Sequence, residues 1–298
     1  MSEWTVGSAD KITLDEPVST VQVRIIGGAV NVVAAEGPAR LEVTELDGEP
    51  LQVTLADGVL TVSYPDLNWN TFGENLKSLD SVKAFVGSLR RKRRAVVSLT
   101  VPAEARVKLG AVTADATVSG VHGGTTVHQV SGTTTLVGLD GRTEANSVSG
   151  DIDAQSLAGD LVVKTVSGGL TVVAGSPATV RANSVGGAVT LDLAGSTPAD
   201  IKVNTVSGDV AVRLPQPADT RVDAGSTNGQ FHSAFEELTV GGTWGAKRLT
   251  GTLGEGTGKL AVATVSGAIS VLRRPEPEDE APAPVLELTD GVEKGDQA

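Results

Sequence analysis

Asn146-Ser147-Val148-Ser149-Gly150-Asp151, Lys164-Thr165-Val166-Ser167-Gly168-Gly169 and Asn204-Thr205-Val206-Ser207-Gly208-Asp209 are three copies of one pattern. Val130-Ser131-Gly132, Val185-Gly186-Gly187 and Val265-Ser266-Gly267 share its centre. With the Val as position zero, apolar residues recur five and three places before it and four and six places after it. The copy at Val166 has Leu161, Val163, Leu170 and Val172, and the copy at Val206 has Ile201, Val203, Val210 and Val212. Val180, Ala182, Val189 and Leu191 surround Val185, and Leu260, Val262, Ile269 and Val271 surround Val265. Near the N-terminus, Val21, Val23, Ile26, Val30 and Val32 fit with Gly28 at the Gly position, and weaker copies centre on Val112 and Thr227.

Alternation with period two on each side of the centre describes two short strands, each with one buried face. The parity changes across the Gly, so that residue is expected at a corner. From Val112 the centres step by 18, 18, 18, 19, 21 and 21 residues, and Thr227 to Val265 is 38, read as two steps with one degenerate copy between. Steps this short match one turn of a parallel β-solenoid and cannot hold a propeller blade of about 40 residues. Each turn buries its inward residues only when stacked on neighbours. The fold class is therefore all-β, a parallel β-solenoid of Val-Ser-Gly-centred repeats, with a Greek-key sandwich as the alternative. The central Val is expected in the apolar stack, so that Val166→Asp or Val206→Asp would unfold the chain while Ser167→Ala would be silent.

Composition agrees. Among 298 residues, 36 Gly and 13 Pro punctuate a chain with only eight aromatics, leaving Val, Leu, Ile and Ala to form the core. The absence of cysteine removes disulfides, thiolate metal sites and thiol nucleophiles. Met1 to Lys11 is polar, without the apolar stretch of a signal peptide, and no run has the length of a membrane span. A cytoplasmic location, membrane-peripheral at most, is the expectation. The net charge of −12 is uneven: residues 275–298 hold eight acidic residues and one Lys, so the tail carries −7 and the body −5.

The quoted hexapeptides, together with the closing stretch from Gly254 to Gly267, resemble the bacterial putative-adhesin family of β-strand-repeat proteins, a domain of unknown function allied to the toast-rack domains. The resemblance spans about residues 18–272. It implies a parallel β-solenoid without a known activity. Toast-rack relatives in envelope-stress sensing proteins imply a scaffold or protein-interaction role, and the adhesin label of surface-exposed relatives implies carbohydrate or surface binding as the alternative.

Residues at equivalent offsets on stacked turns form ladders spaced about 4.8 Å. Two places before the centre, His128, Asn146, Lys164, Asn183 and Asn204 should make an outward polar ladder. Asp151 and Asp209, after the Gly, lie three turns apart, too far for the paired carboxylates of a glycosidase, and are read as turn residues bonding their own backbone. His122, His128 and His232 show no metal-ligand spacing, and Gly251 to Gly258 lacks the Lys-Ser/Thr ending of a phosphate loop. No catalytic, cofactor-binding or metal-binding residue is expected, and no small-molecule substrate.

One segment departs from the repeat. Between Tyr64 and Arg94, apolar residues fall at Phe72, Leu76, Leu79, Val82, Phe85 and Leu89, the spacing of an amphipathic helix, and the segment ends in Arg90-Arg91-Lys92-Arg93-Arg94. The domain reading is thus N-terminal strands with the first repeat copy over 1–65, a basic helical insertion or cap over 66–95, solenoid repeats over 96–274, and a disordered acidic, Pro-rich tail over 275–298. Such a helix either covers an end of the solenoid or docks, through Trp69, Phe72, Phe85 and the five cations, on a protein partner or an anionic membrane surface. Nucleic acid is disfavoured because no further basic patch extends the cluster along the body. The prolines after Arg274 would also discourage another chain from stacking on the last turn.

Overall fold

The computed structural model describes residues 1–67, 93–195, 199–242 and 246–275. Every regular element among them is a β-strand. The chain opens with β1 (Ser2–Val6), β2 (Asp10–Thr13), β3 (Thr20–Ala34), β4 (Arg40–Asp47), β5 (Leu51–Ala56), β6 (Val59–Ser63) and β7 (Arg94–Val101). β3 is long enough to serve two sheets. Its first half pairs in parallel with β6 in what we term sheet I, and its second half with β7 in sheet II. Antiparallel strands then extend both sheets outward, β5 and β1 in sheet I, β4 and β2 in sheet II. Asp57 and Gly58 have φ of 50° and 73° and make the two-residue turn between β5 and β6, the Asp-Gly pair suited to positive φ at both positions. This end of the solenoid is therefore closed by strands. The expected helix lies almost wholly outside the described residues, and the flanking Leu67 and Arg93 mark where the segment leaves and rejoins the corner between the sheets.

β8 (Arg106–Ser119) runs parallel to β3 along both halves. Regular turns follow, alternating between sheet I and sheet II: β9 (Thr125–Gln129), β10 (Thr134–Val137), β11 (Thr143–Ser147), β12 (Ile152–Gln155), β13 (Leu161–Thr165), β14 (Leu170–Gly175), β15 (Thr179–Ser184), β16 (Val189–Leu193), β17 (Asp200–Asn204) and β18 (Val210–Leu214). Like offsets pair with like, as in Val163 with Ala182 and Ala182 with Val203. Leu161, Val163, Leu170 and Val172 are all buried between the sheets, as the period-two pattern requires. An all-β solenoid with parallel-rich sheets is what the repeat specifies. Residues 1–67 share these sheets through β3, so the N-terminal strands and the repeats are one continuous core.

Val112 and Val130 are buried, but in the later copies the central Val does not face the core. Val185, Val206 and Val265 are each 48% exposed. The inward position belongs to the residue before it: Ser147, Thr165, Ser184, Thr205, Ser226 and Thr264 are all buried. The cause is the unpaired backbone at the corner. Ser147 Oγ accepts a hydrogen bond from the Gly150 N–H at 2.9 Å and donates to the Gly150 carbonyl at 2.7 Å. Thr205, Ser226 and Thr264 accept from Gly208, Gly229 and Gly267 at 3.0, 2.8 and 3.0 Å. A buried N–H without a partner costs about 1–3 kcal/mol, which outweighs the area gained by turning a Val inward at a place it cannot fill. Two consecutive outward residues, Val and Ser, produce the parity change.

The Gly is fixed by stacking more than by backbone angle. A Cβ on Gly168 would sit 1.9 Å from the Gly150 carbonyl oxygen, and one on Gly187 would sit 1.9 Å from that of Gly168. Gly208, Gly267 and Gly229 meet the same obstacle at 2.0, 2.0 and 1.9 Å. Each corner leans on the one before it.

The C-terminal turns are out of order. β19 (Thr220–Ser226) and β20 (Phe231–Ser233) follow β18 in sequence, then β21 (Thr239–Gly241), β22 (Lys247–Leu253), β23 (Gly258–Thr264) and β24 (Ile269–Arg273). In space β23 lies between β17 and β19, with Leu260 level with Ile201 on one side and Val222 on the other. β24 lies likewise between β18 and β20. The 38-residue interval is therefore no degenerate turn. Residues 234–257 supply the antiparallel β21–β22 pair, and β22 covers β19 at the far edge of sheet I. Thr239-Val240-Gly241-Gly242 has the letters of the corner, but Thr239 is exposed, and β22 buries only Leu249 and Leu253, which suits a one-sided cover and not a full turn.

Candidate interaction surface

The base of the insertion is a buried ionic knot. Tyr64 is fully buried, and burial pushes its phenol up to about 12, with Arg93 opposing the shift. The Arg93 guanidinium lies 5.1 Å from the Tyr64 ring centre and reaches Asp66 at 2.6 Å and Glu49 at 2.7 Å, its side chain only 8% exposed. The hydrogen bond to Asp66 holds the Arg93 proton more firmly than usual. Arg94 pairs with Glu45 at 3.3 Å in the open. Two of the five clustered cations are thus engaged by the solenoid's own acids. Trp69, Phe72, Phe85, Arg90, Arg91 and Lys92 lie outside the described residues. Arg24 is buried nearby, donating to Ser63 Oγ at 3.4 Å, and desolvation lowers its affinity for the proton.

The outward ladder stands as the offsets imply. His128, Asn146, Lys164, Asn183 and Asn204 occupy equivalent places on successive strands of sheet I, and Asn204 donates to Asn183 Oδ1 at 3.0 Å. Burial within the ladder depresses the His128 imidazole. Asp151 and Asp209 are three turns apart, yet they do not bond their own backbone. Asp151 accepts from Gly169 N–H on the next turn at 2.8 Å, Asp209 from Ala268 N–H at 2.8 Å, and Asp115 does the same for Thr133. These carboxylates staple turn to turn because the corner N–H groups point along the stack. His122 lies 3.6 Å from Glu104 and 3.8 Å from Asp140, a pairing created by the 18-residue step on the opposite corner, which linear spacing rules do not inspect.

Charge is sorted by sheet. From β13 to β22, sheet I carries Lys164, Arg181, Lys202, Lys259, Arg221, Lys247 and Arg248, against Asp200 and Asp223. Asp200 is held by Arg181 at 2.6 Å, which keeps its carboxyl below the usual range, and Asp223 is held by both arms of Arg248 at 2.5 and 2.8 Å. Over the same stretch sheet II and its corner bear Asp151, Asp153, Asp192 and Asp209, against Arg213 on β18 and Arg273 on β24. The body therefore does carry a basic patch, contrary to the expectation from linear charge runs. It was hidden because its members are about 20 residues apart in sequence and meet only in the stack.

Within sheet I, Lys202, Lys247 and the Arg248–Asp223 pair flank a groove of about 580 Å³. Ala261, Ala263 and Gly225 form a low floor; Lys202 and Asn204 stand on one side, and Gly242, Ala246, Lys247 and Arg248 on the other. Small outward residues on β23 and β19 leave room there, and the β21–β22 cover raises the far wall.

Residues 194–272 match the Toastrack DUF4097 family, a span that begins at the end of β16 and includes the inserted last turn. No curated protein matches the chain. Among solved structures, a "putative cell adhesion protein" from Clostridium sporogenes is similar at 10% identity with a TM-score of 0.30, covering 90% of this chain and 100% of that one.

Proposed function

We propose that the protein is a non-enzymatic β-solenoid scaffold whose basic sheet I binds an acidic segment of a protein partner. The carrying observation is the segregation of charge onto opposite sheets, with a groove on the basic one. A stack of in-register turns is stiff, and the outward cations, Arg181 level with Lys202 and Lys259 level with Arg221 on neighbouring strands, make a broad basic face that an extended acidic chain can cross. Sheet II, with Arg213 and Arg273 against four Asp, attracts such a ligand far less, which favours sheet I. The toast-rack match over residues 194–272 supports the reading, since that span supplies most of the groove. The local chemistry supports it too, because the Asp ladder is spent on backbone N–H groups.

The test is binding of a labelled poly-glutamate peptide at low and physiological salt, comparing the native chain with Lys202→Glu/Lys259→Glu and with Asp153→Lys. The reading requires the first variant to lose binding at least tenfold and the second to keep or gain it. Binding to anionic vesicles but not to the peptide would replace the protein partner with a membrane surface. Equal affinity in all three proteins would remove sheet I from the function.

A further inference from the structure

We infer that the groove on sheet I is the docking site of the chain's own acidic C-terminal segment, residues 276–298, which competes there with an external acidic partner. The inference rests on the preceding assignment of sheet I as the anion-binding face and names what regulates it.

Three observations converge. The first is where the described chain ends. β24 belongs to sheet II and finishes at Arg273, so Pro275 lies at the corner opposite the Val-Ser-Gly corner, where the strands of sheet I begin with Asp200, Lys259 and Thr220. Because β24 sits between β18 and β20, the exit lies inside the stack, level with β23, whose Ala261 and Ala263 floor the groove. One strand's length, about 17–20 Å, separates that corner from the far end of the groove. The 23 residues beyond Pro275 can span roughly 75 Å when extended, so reach is not limiting.

The second is the sign of the two surfaces that meet at the exit. On the sheet II side Arg274 lies 3.8 Å from Asp192, Arg273 lies over the Phe235 ring at 5.1 Å, and Arg213 stands beside them. On the sheet I side stand Lys259, Lys202 and Lys247, with Arg248 held by Asp223. A segment with eight carboxylates and one Lys is drawn less to the first, where Arg274 and Arg273 already have partners, than to the second, whose lysines stand beside a groove. The third concerns the competing basic site. In the cluster Arg90 to Arg94, Arg93 is committed to Asp66 and Glu49, and Arg94 to Glu45, so those two cations are not available to a tail.

The pairing is intramolecular and therefore independent of protein concentration. A flexible tether gives an effective concentration on the order of 1 mM, so even a weak acidic ligand is held most of the time. It remains salt-sensitive, because the charges are exposed.

Zero-length carbodiimide coupling, which joins a Lys amine to a carboxylate with loss of water, reads the contact directly in the full chain. Mass mapping at low salt should find Lys202, Lys247 or Lys259 joined to acids between Glu276 and Asp296, within one molecule when isotopically light and heavy protein are mixed, and largely lost at 0.5 M salt. In full-length Glu278→Gln/Asp279→Asn/Glu280→Gln, the poly-glutamate peptide should bind about tenfold more tightly than in the native chain. Coupling only to Lys92, only between molecules, or nowhere would overturn the inference, as would an unchanged peptide affinity in the neutralised variant. If the peptide binds through Lys202 and Lys259 but the tail couples elsewhere, the basic face stands and its self-occupancy falls. If the peptide fails to bind even the neutralised variant, the basic face itself is wrong.

Discussion

Gly187→Ala tests the stacking argument at a single atom. The new Cβ would lie 1.9 Å from the Gly168 carbonyl oxygen and 2.6 Å from its carbon, against an ordinary contact of about 3.4 Å or more, so turn 187 must retreat from turn 168 by more than 1 Å. Retreat stretches the corner bonds that flank it, Gly186 N–H to Val166 O at 2.8 Å and Leu170 N–H to Ala188 O at 2.9 Å. Losing one or two such bonds, at a corner where Gly187 is buried but Gly186 and Ala188 are exposed, costs about 1–3 kcal/mol. Gly225→Ala is the matched control, because its Cβ meets nothing within 4 Å and its φ is not in the left-handed region. It should change stability by less than about 0.5 kcal/mol. Urea unfolding followed by circular dichroism gives the free energies, and hydrogen exchange on β13 to β16 locates the damage, since a stack can fray locally before it unfolds. If Gly187→Ala is as stable as the native chain, or if both substitutions cost the same, the glycines are not there to let one turn lean on the next.

Val206→Asp should be tolerated within about 0.5 kcal/mol by the same urea assay, since Val206 is half exposed, whereas Thr205→Val, which strands the Gly208 N–H, should cost about 1–3 kcal/mol. Tyr64 is the only tyrosine, so the phenolate absorbance reports it alone: its midpoint should fall near 12 in the folded chain and near 10 in urea. A folded pKa above the unfolded one means that stability is intact below pH 10 and is lost as pH rises toward 12, by roughly 2–3 kcal/mol from this group. A midpoint of 10 in the native protein would place the phenol in water. Arg93→Gln should destabilise by about 1–3 kcal/mol and Arg94→Gln by less than about 0.5, a contrast of buried and exposed pairing measurable in one thermal series.

Much of the fold was legible because the solenoid writes its geometry in two periodicities. The alternation about each centre identified the inward residues correctly at Leu161, Val163, Leu170 and Val172, and the near-constant step identified the stacking. The central Val misled because hydrophobicity alone does not orient it. The buried Ser or Thr beside it is explained only by hydrogen-bond demand at the corner, a demand visible once the turn's N–H groups are counted. The basic sheet was illegible along the chain for a different reason. Lys164, Arg181, Lys202 and Lys259 are separated by 17 to 57 residues, and only the pairing register makes them neighbours. The inserted final turn left no local signal either, since Leu260, Val262, Ile269 and Val271 fit any position in the stack equally well.

That interchangeability explains how the last turn can sit where it does, and it bears on assembly. Leu260 matches Ile201 below and Val222 above because all three obey one template, so the order of turns is decided by their connections. The 220–233 turn is tied to the β21–β22 cover, which pairs with β19 and needs a free edge of sheet I to do so. Placing the cover outermost leaves the position between β17 and β19 for β23. The prolines after Arg274 therefore do not guard the terminal turn, as a sequential stack would have had it. The end of the solenoid is instead presented by β20 and β21, each of three residues, and such short edges offer another strand little to pair with. Protection of that end is built into strand length, which leaves the acidic segment at the internal exit free to act on the face of sheet I.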